Sequence, residues 1–189
     1  MTTRSRGSAS RRLTLASAIL LGLIGLLAGC DGQRISAEYQ RRTPADSAEQ
    51  VMFNGRTIIT ANGVRRGEVS GDTVGTYEAV TRFHFRRLTV QFSTALGRPL
   101  ALMTAPEGEY SLVNGTVVTS GPVMIVSDTA GRRVTTQAVR YDVLPNQLAS
   151  DSTFTATAGA RTLSGVGFTA DPGLFNIKCL KDCTGSLGR

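Results

Sequence analysis

The chain has 189 residues, with 21 Lys plus Arg against 14 Asp plus Glu, and a formal net charge of +7 at neutral pH. Hydrophobic residues make up 41% and charged ones 19%, which excludes a wholly disordered chain and argues against a helical bundle or coiled coil. One His and three Cys leave little for a His-based catalytic centre or a four-ligand zinc site, and 21 Gly among many Thr, Val and Ser point to turn-rich β-structure.

Arg4, Arg6, Arg11 and Arg12 stand ahead of the long apolar run from Leu13 to Ala28. Basic residues, an apolar stretch and then small residues form the pattern of a secretory signal. The run is shorter than the roughly 20 residues that cross a bilayer as a helix. Its end, Leu27-Ala28-Gly29-Cys30, resembles the bacterial lipobox. That resemblance makes residues 1–29 a lipoprotein signal peptide. It also makes Cys30 the lipidation site, anchoring the exported chain to a membrane by its acyl groups. An uncleaved membrane anchor with an incidental Cys is the alternative. Asp31 favours retention at the inner membrane, so the expected location is the periplasm. Four of the positive charges leave with the signal, and an exported chain meets no cytosolic nucleic acid. Residues 30–50 are polar, include Pro44, and read as a tether.

The first core candidate is Val51-Met52-Phe53, followed by Thr57-Ile58-Ile59-Thr60 and the turn signal Asn62-Gly63. From there to Ile177 short alternating runs recur between Gly, Asn, Asp and Pro, with no sustained helical period. These runs repeat. Tyr77, Tyr110 and Tyr141 lie 33 and 31 residues apart, and each closes a strand before a turn. Second strands follow at Leu88-Thr89-Val90-Gln91-Phe92, Val123-Met124-Ile125-Val126 and Thr153-Phe154-Thr155-Ala156. Gly-bearing turns come next at Gly97, Gly131 and Gly159, and Leu163 to Phe168 begins a truncated fourth copy. A period of this length with two strands in it predicts stacked antiparallel β-repeats, each covering its neighbour's apolar face. One detail predicts a bend. Phe83 and Phe85 have one parity and Leu88, Val90 and Phe92 the other, with Arg86-Arg87 at the change. A bulge or bend there puts all five on one side and makes this a single long strand.

The Tyr141-Asp142 turn with the strand Thr153 to Thr157, the entry Gly131-Arg132-Arg133-Val134-Thr135-Thr136, and the segment Gly165-Val166-Gly167-Phe168-Thr169-Ala170-Asp171 resemble the LptC family and the wider OstA-like repeat group. The resemblance spans residues 48–177 and implies an all-β domain over 51–177, a twisted, partly open antiparallel jellyroll or sandwich. It further implies transport of lipopolysaccharide, with acyl chains sheltered between two sheets. Docking to an inner-membrane export transporter, and to a periplasmic bridge protein by strand addition, is implied as well. The chain departs from the family in its lipobox, in Tyr77-Glu78 and Tyr110-Ser111 at two of the repeat turns, and in the tail at 178–189 that carries Cys179 and Cys183.

The inward positions of the second strands are the expected lipid contacts: Leu88, Val90, Phe92, Val123, Ile125, Phe154 and, from the partial repeat, Phe168. A packed core needs apolar side chains at the same positions, so a structural or adaptor lipoprotein is the alternative function. The third repeat has one large apolar residue, Phe154, among Thr and Ala, and predicts a partly open end. No nucleophile–base set, phosphate loop or zinc motif is present, so neither an enzyme nor a cofactor is expected. His84 reads as a solvent-facing strand residue. The pairs Arg65-Arg66, Arg86-Arg87 and Arg132-Arg133 read mainly as strand-end charges, with at most one of each pair facing inward. In an exported chain Cys179 and Cys183 read as a disulfide across a turn, since a regular helix holds such Cβ atoms too far apart.

Overall fold

The computed structural model describes residues 48–78 and 80–188. The signal peptide, Cys30 and nearly all of the expected tether lie outside the described residues. Eleven strands account for most of what is described: β1 (Gln50–Ala61), β2 (Val64–Tyr77), β3 (Arg82–Ser93), β4 (Pro99–Ser111), β5 (Thr116–Ser120), β6 (Val123–Ser127), β7 (Arg132–Thr136), β8 (Arg140–Asp142), β9 (Gln147–Ala158), β10 (Arg161–Ala170) and β11 (Ile177–Gly185). All pairings are antiparallel.

The pairings reduce to one meander. β4 pairs with β6 through Leu102–Thr104 and with β5 through Glu107–Ser111. β9 pairs with β8 through Gln147–Ala149 and with β7 through Phe154–Ala158. β5 pairs β8, and β6 pairs β7. Thus β5 and β6 together form one broken crossing of the layer, and β7 and β8 form the next. The layer begins at the edge strand β1 and ends at the edge strand β11.

Every long strand bends at the same row. In β3 Phe85 and Leu88 are both buried while Arg86 and Arg87 between them are exposed, and Arg87 has φ +49°. This is the expected phase change inside one continuous strand. In β4 Ala105 and Gly108 are buried around exposed Pro106 and Glu107. Pro106 has no N–H to give the ladder, so β4 changes partner there. β2 slips phase across Asp72-Thr73, and β9 across Asp151 to Thr153. Asn54 in β1 has φ +51°, and Gly121, which separates β5 from β6, has φ +85°. The row creases the layer into two facing sheets. Sheet I contains β5 and β8, sheet II contains β6 and β7, and β1–β4 and β9 run through both.

One apolar core lies between the sheets. Val74, Phe85, Tyr110, Val117, Tyr141 and Leu148 come from sheet I; Val69, Leu88, Val90, Met103, Ile125 and Val134 come from sheet II. Ring contacts join the two: Phe92 to Tyr141 at 4.9 Å between centroids, and Phe154 to Phe168 at 5.0 Å. The antiparallel all-β structure expected from the repeats, and the jellyroll that the resemblance implies, are the fold observed.

Two expectations are corrected. Val51-Met52-Phe53 is not core: Phe53 is 77% exposed, because the segment sits at the edge with a neighbour on one side only. The segment expected as a tail from 178 continues the sheet, since β11 pairs with β10 from Ile177 to Gly185. The second strand expected at Val123 to Val126 is β6, and Gly121-Pro122 separates it from β5 at the crease.

Candidate functional site: the space between the sheets and its two ends

All seven expected lipid-contact residues face the space between the sheets. Their exposures run from 0% at Val90, Ile125 and Phe168 to 3% at Phe154. Pairing sets several of them in one row of sheet II. Val69, Val90, Met103, Ile125, Val134 and Ala156 are successive neighbours across β2, β3, β4, β6, β7 and β9. Thr136 joins Val123 to Phe154 in the adjacent row. Phe168 belongs to β10, close to its own phase change at Gly167, where φ is +72°. The structure therefore gathers six of the seven on sheet II, packed against sheet I, and Phe168 meets Phe154 from the opposite side.

The third repeat end is filled. Its small residues are matched by Phe168 and by Leu174, which is 0% exposed and comes from the β10–β11 turn. Sequence alternation does not reveal Leu174, because it stands outside any strand. Its φ of +58° turns it inward, and Pro172-Gly173 before it was the available signal. Asp171 holds the turn by accepting from Phe175 N (3.2 Å) and Asn176 N (2.6 Å). From sheet II the Arg132 guanidinium donates to Leu174 O at 2.8 Å and to Phe175 O at 2.6 Å. One Arg of the Arg132-Arg133 pair thus faces inward, and it ties the turn to the opposite sheet.

An open pocket of about 1080 Å³ lies beside this strap, lined by Leu163, Ala170, Phe175, Ile177, Leu187 and Arg132 among others. It touches the buried space through Ala170 and Leu163, which pair with Leu148 and Ala156 of the core. At the other end, β1 presents exposed Val51, Met52, Phe53 and Ile58 on a strand whose outer edge has no neighbouring strand among the described residues. The two ends differ: one apolar and open along its edge, the other strapped.

Several buried hydroxyl groups are satisfied locally, whereas Arg66 Nε and Arg82 Nε are buried without a hydrogen-bond partner among the described residues. Thr119 Oγ1 donates to Val139 O and accepts from Val139 N. Ser150 Oγ donates to Ala138 O at 2.6 Å. The Tyr141 hydroxyl donates to Asn146 Oδ1 at 2.8 Å. Burial pushes the Tyr141 pKa up to about 12, with the Arg66 charge opposing and Tyr110 adding to the rise. Burial also raises Tyr110. His84 is half-exposed on β3, between Gly75 and Glu109. Among the described residues no His/Cys/Asp/Glu cluster could hold a metal ion. Cys179 and Cys183 are joined, with Cα atoms 6.0 Å apart.

The arrangement defines a class: a creased antiparallel β-jellyroll with an apolar interior and two end strands. Among solved structures it is similar to LptH of Pseudomonas aeruginosa, described as the LptA-homologous periplasmic component of a conserved lipopolysaccharide transport device. The likeness has a TM-score of 0.50 at 11% identity, covering 64% of this chain and 94% of that one. No protein-family model matches the chain, and no curated protein matches it by sequence.

Proposed function

We propose that the chain is an envelope lipoprotein that takes part in lipopolysaccharide transport across the periplasm. One observation carries the reading: a jellyroll shared with a periplasmic transport component, with its apolar interior between two sheets that end in edge strands. Acyl chains lie along Leu88, Val90, Phe92, Val123, Ile125, Phe154 and Phe168. Because these side chains are packed, lipid enters as the sheets part along the rim opposite the crease. The pocket beside Arg132 is the place where apolar lining already reaches that rim. The edge strands pair with an inner-membrane transporter on one side and a periplasmic bridge protein on the other. A lipid anchor on Cys30 holds the domain at the inner membrane. The chemistry is binding and transfer, with no catalytic step and no cofactor.

The closeness of the packing favours a second reading, an adaptor lipoprotein with the same fold and a permanently filled core. Photo-crosslinking residues at Val90, Ile125 and Phe154 separate the two. Capture of lipopolysaccharide in cells at these three, and none at exposed Arg98, is expected for transport. Absence of lipid adducts at all three, with the fold intact, selects the adaptor.

A further inference from the structure

The disulfide sits at an irregularity in the last strand. β10 and β11 keep one register from Ala170↔Ile177 to Val166↔Lys181, then shift at Ser164↔Thr184. One extra residue lies in β11, and Asp182, at φ +50°, occupies the shift. Four residue steps of a regular strand cover roughly 13 Å. Cys179 and Cys183 have Cα atoms 6.0 Å apart, so the covalent link and a straight β11 exclude each other. The opposite strand is shaped to receive the bulge. A Cβ on Gly165 would lie 2.5 Å from Cys179 Sγ and 2.7 Å from Lys181 O. The result is an edge strand kinked in its middle. A kinked edge does not offer an even row of N–H and C=O groups to an incoming strand.

We infer that the Cys179–Cys183 disulfide is a reversible lock on the β11 edge. Oxidised, the kink closes this edge to strand addition and leaves β1 as the open one. Reduced, β11 straightens against β10 and accepts a strand. The inference rests on the strand-pairing reading above and assigns its control to one end of the layer. Reduction uses a protein dithiol of the thiol–disulfide oxidoreductase kind. One thiolate attacks exposed Cys183 Sγ, the S–S bond breaks, and Cys179 leaves as a thiolate that takes a proton. The second thiol of the reductant then attacks the mixed disulfide, closing its own disulfide and releasing Cys183 as a thiol. Two electrons pass from the dithiol to the Cys pair.

Hydrogen exchange read by mass spectrometry on the full chain in detergent tests the lock. The states compared are oxidised, reduced with dithiothreitol, Cys179→Ser/Cys183→Ser, and that double variant with Asp182 deleted. Deletion removes the extra residue and straightens β11 by register alone. Amides of 180–184 are expected to exchange about tenfold more slowly in the last three states than in the oxidised protein, as kinked pairing becomes regular. Equal or faster exchange after reduction and in the Ser variant overturns the lock. A photo-reactive residue at Leu180 tests strand acceptance, using two differently tagged copies of the chain mixed together. Adducts between copies are expected in the reduced and deleted forms and not in the oxidised one. Slower exchange without adducts overturns strand acceptance at this edge while the lock itself stands.

Discussion

Replacing Leu174 by Ala and by Gly separates two contributions that usually act in the same direction. The side chain is 0% exposed and belongs to the core between the sheets. Its truncation to Ala removes buried methyl groups and leaves a cavity, a loss of about 2–5 kcal/mol for buried Leu. The backbone at this position has φ +58°. That conformation costs an L-residue roughly 1–2 kcal/mol, and Ala retains the cost. Gly loses the same side chain but adopts the conformation freely. In most elements Gly is worse than Ala by roughly 0.5–1 kcal/mol, and here the order reverses. Leu174→Gly should unfold in urea at a higher midpoint than Leu174→Ala, by about 1 kcal/mol in stability, with both below the parent. Arg132 and Asp171 fix the turn through backbone atoms, so neither substitution removes their hydrogen bonds. Far-UV circular dichroism against urea gives both midpoints. An Ala variant as stable as the Gly variant, or more so, refutes the strapped conformation of the turn.

Ile125→Ala should cost about 2–5 kcal/mol, since Ile125 is buried at the centre of the sheet II row; a loss under about 1 kcal/mol by the same unfolding assay contradicts the packed interior. At the crease, Arg87→Gly should be close to neutral, because relief of the left-handed backbone offsets an exposed ion pair with Asp72, whereas Arg87→Val should lose roughly 1–2 kcal/mol; equal midpoints for the two contradict a bend there. Arg132→Ala should cost about 1–3 kcal/mol and speed hydrogen exchange over residues 171–176, and an unchanged exchange pattern contradicts the strap. Tyr141 gives a pH dependence: with its pKa raised from 10.0 to about 12, its contribution is complete below pH 10 and is lost as pH rises through about 12. The loss is on the order of 2 kcal/mol, and Tyr141→Phe should abolish that part of the alkaline decline in a stability–pH series.

Strand alternation and the Tyr-to-Tyr repeat made the architecture legible, because a sheet with one buried face writes a period of two into the chain. The phase change between Phe85 and Leu88 located the bend in β3 to within the Arg86-Arg87 pair, and the same slip stands in β4 around Pro106-Glu107. That these slips fall on one row is a property of register, which pairs residues distant in sequence. The edge strands were harder. Val51-Met52-Phe53 looks like core because apolar residues on an exposed edge and in an interior have the same composition. β11 escaped notice because its pattern is disturbed by the extra residue at Asp182, and an edge strand with polar residues has no alternation to show. Leu174 was not legible as a site residue, since its burial depends on a single left-handed turn reaching across to sheet II.

On the transport reading proposed above, the crease also decides how lipid would enter. A flat sandwich separates its sheets only by breaking contacts on all sides. Here β1–β4 and β9 pass through both sheets, so the sheets are hinged along the crease and free to part along the opposite rim. At the β11 end, among the described residues, that rim is crossed by the Arg132 bonds to Leu174 O, Phe175 O and Gly188 O, with Leu187 buried beside them. Hydrogen bonds from a charged group contribute about 1.5–3 kcal/mol each net, less than the core contacts beside them taken together. Along the strands Phe154 and Phe168 lie beside the crease, next to the slips at Asp151 to Thr153 and at Gly167, whereas Val90 and Ile125 lie one row nearer the rim. On the transport reading, lipid entering from the rim therefore meets Ile125 and Val90 before the aromatic pair, and crosslinks at Ile125 should form earlier in a time course than crosslinks at Phe154; the reverse order contradicts opening at the rim.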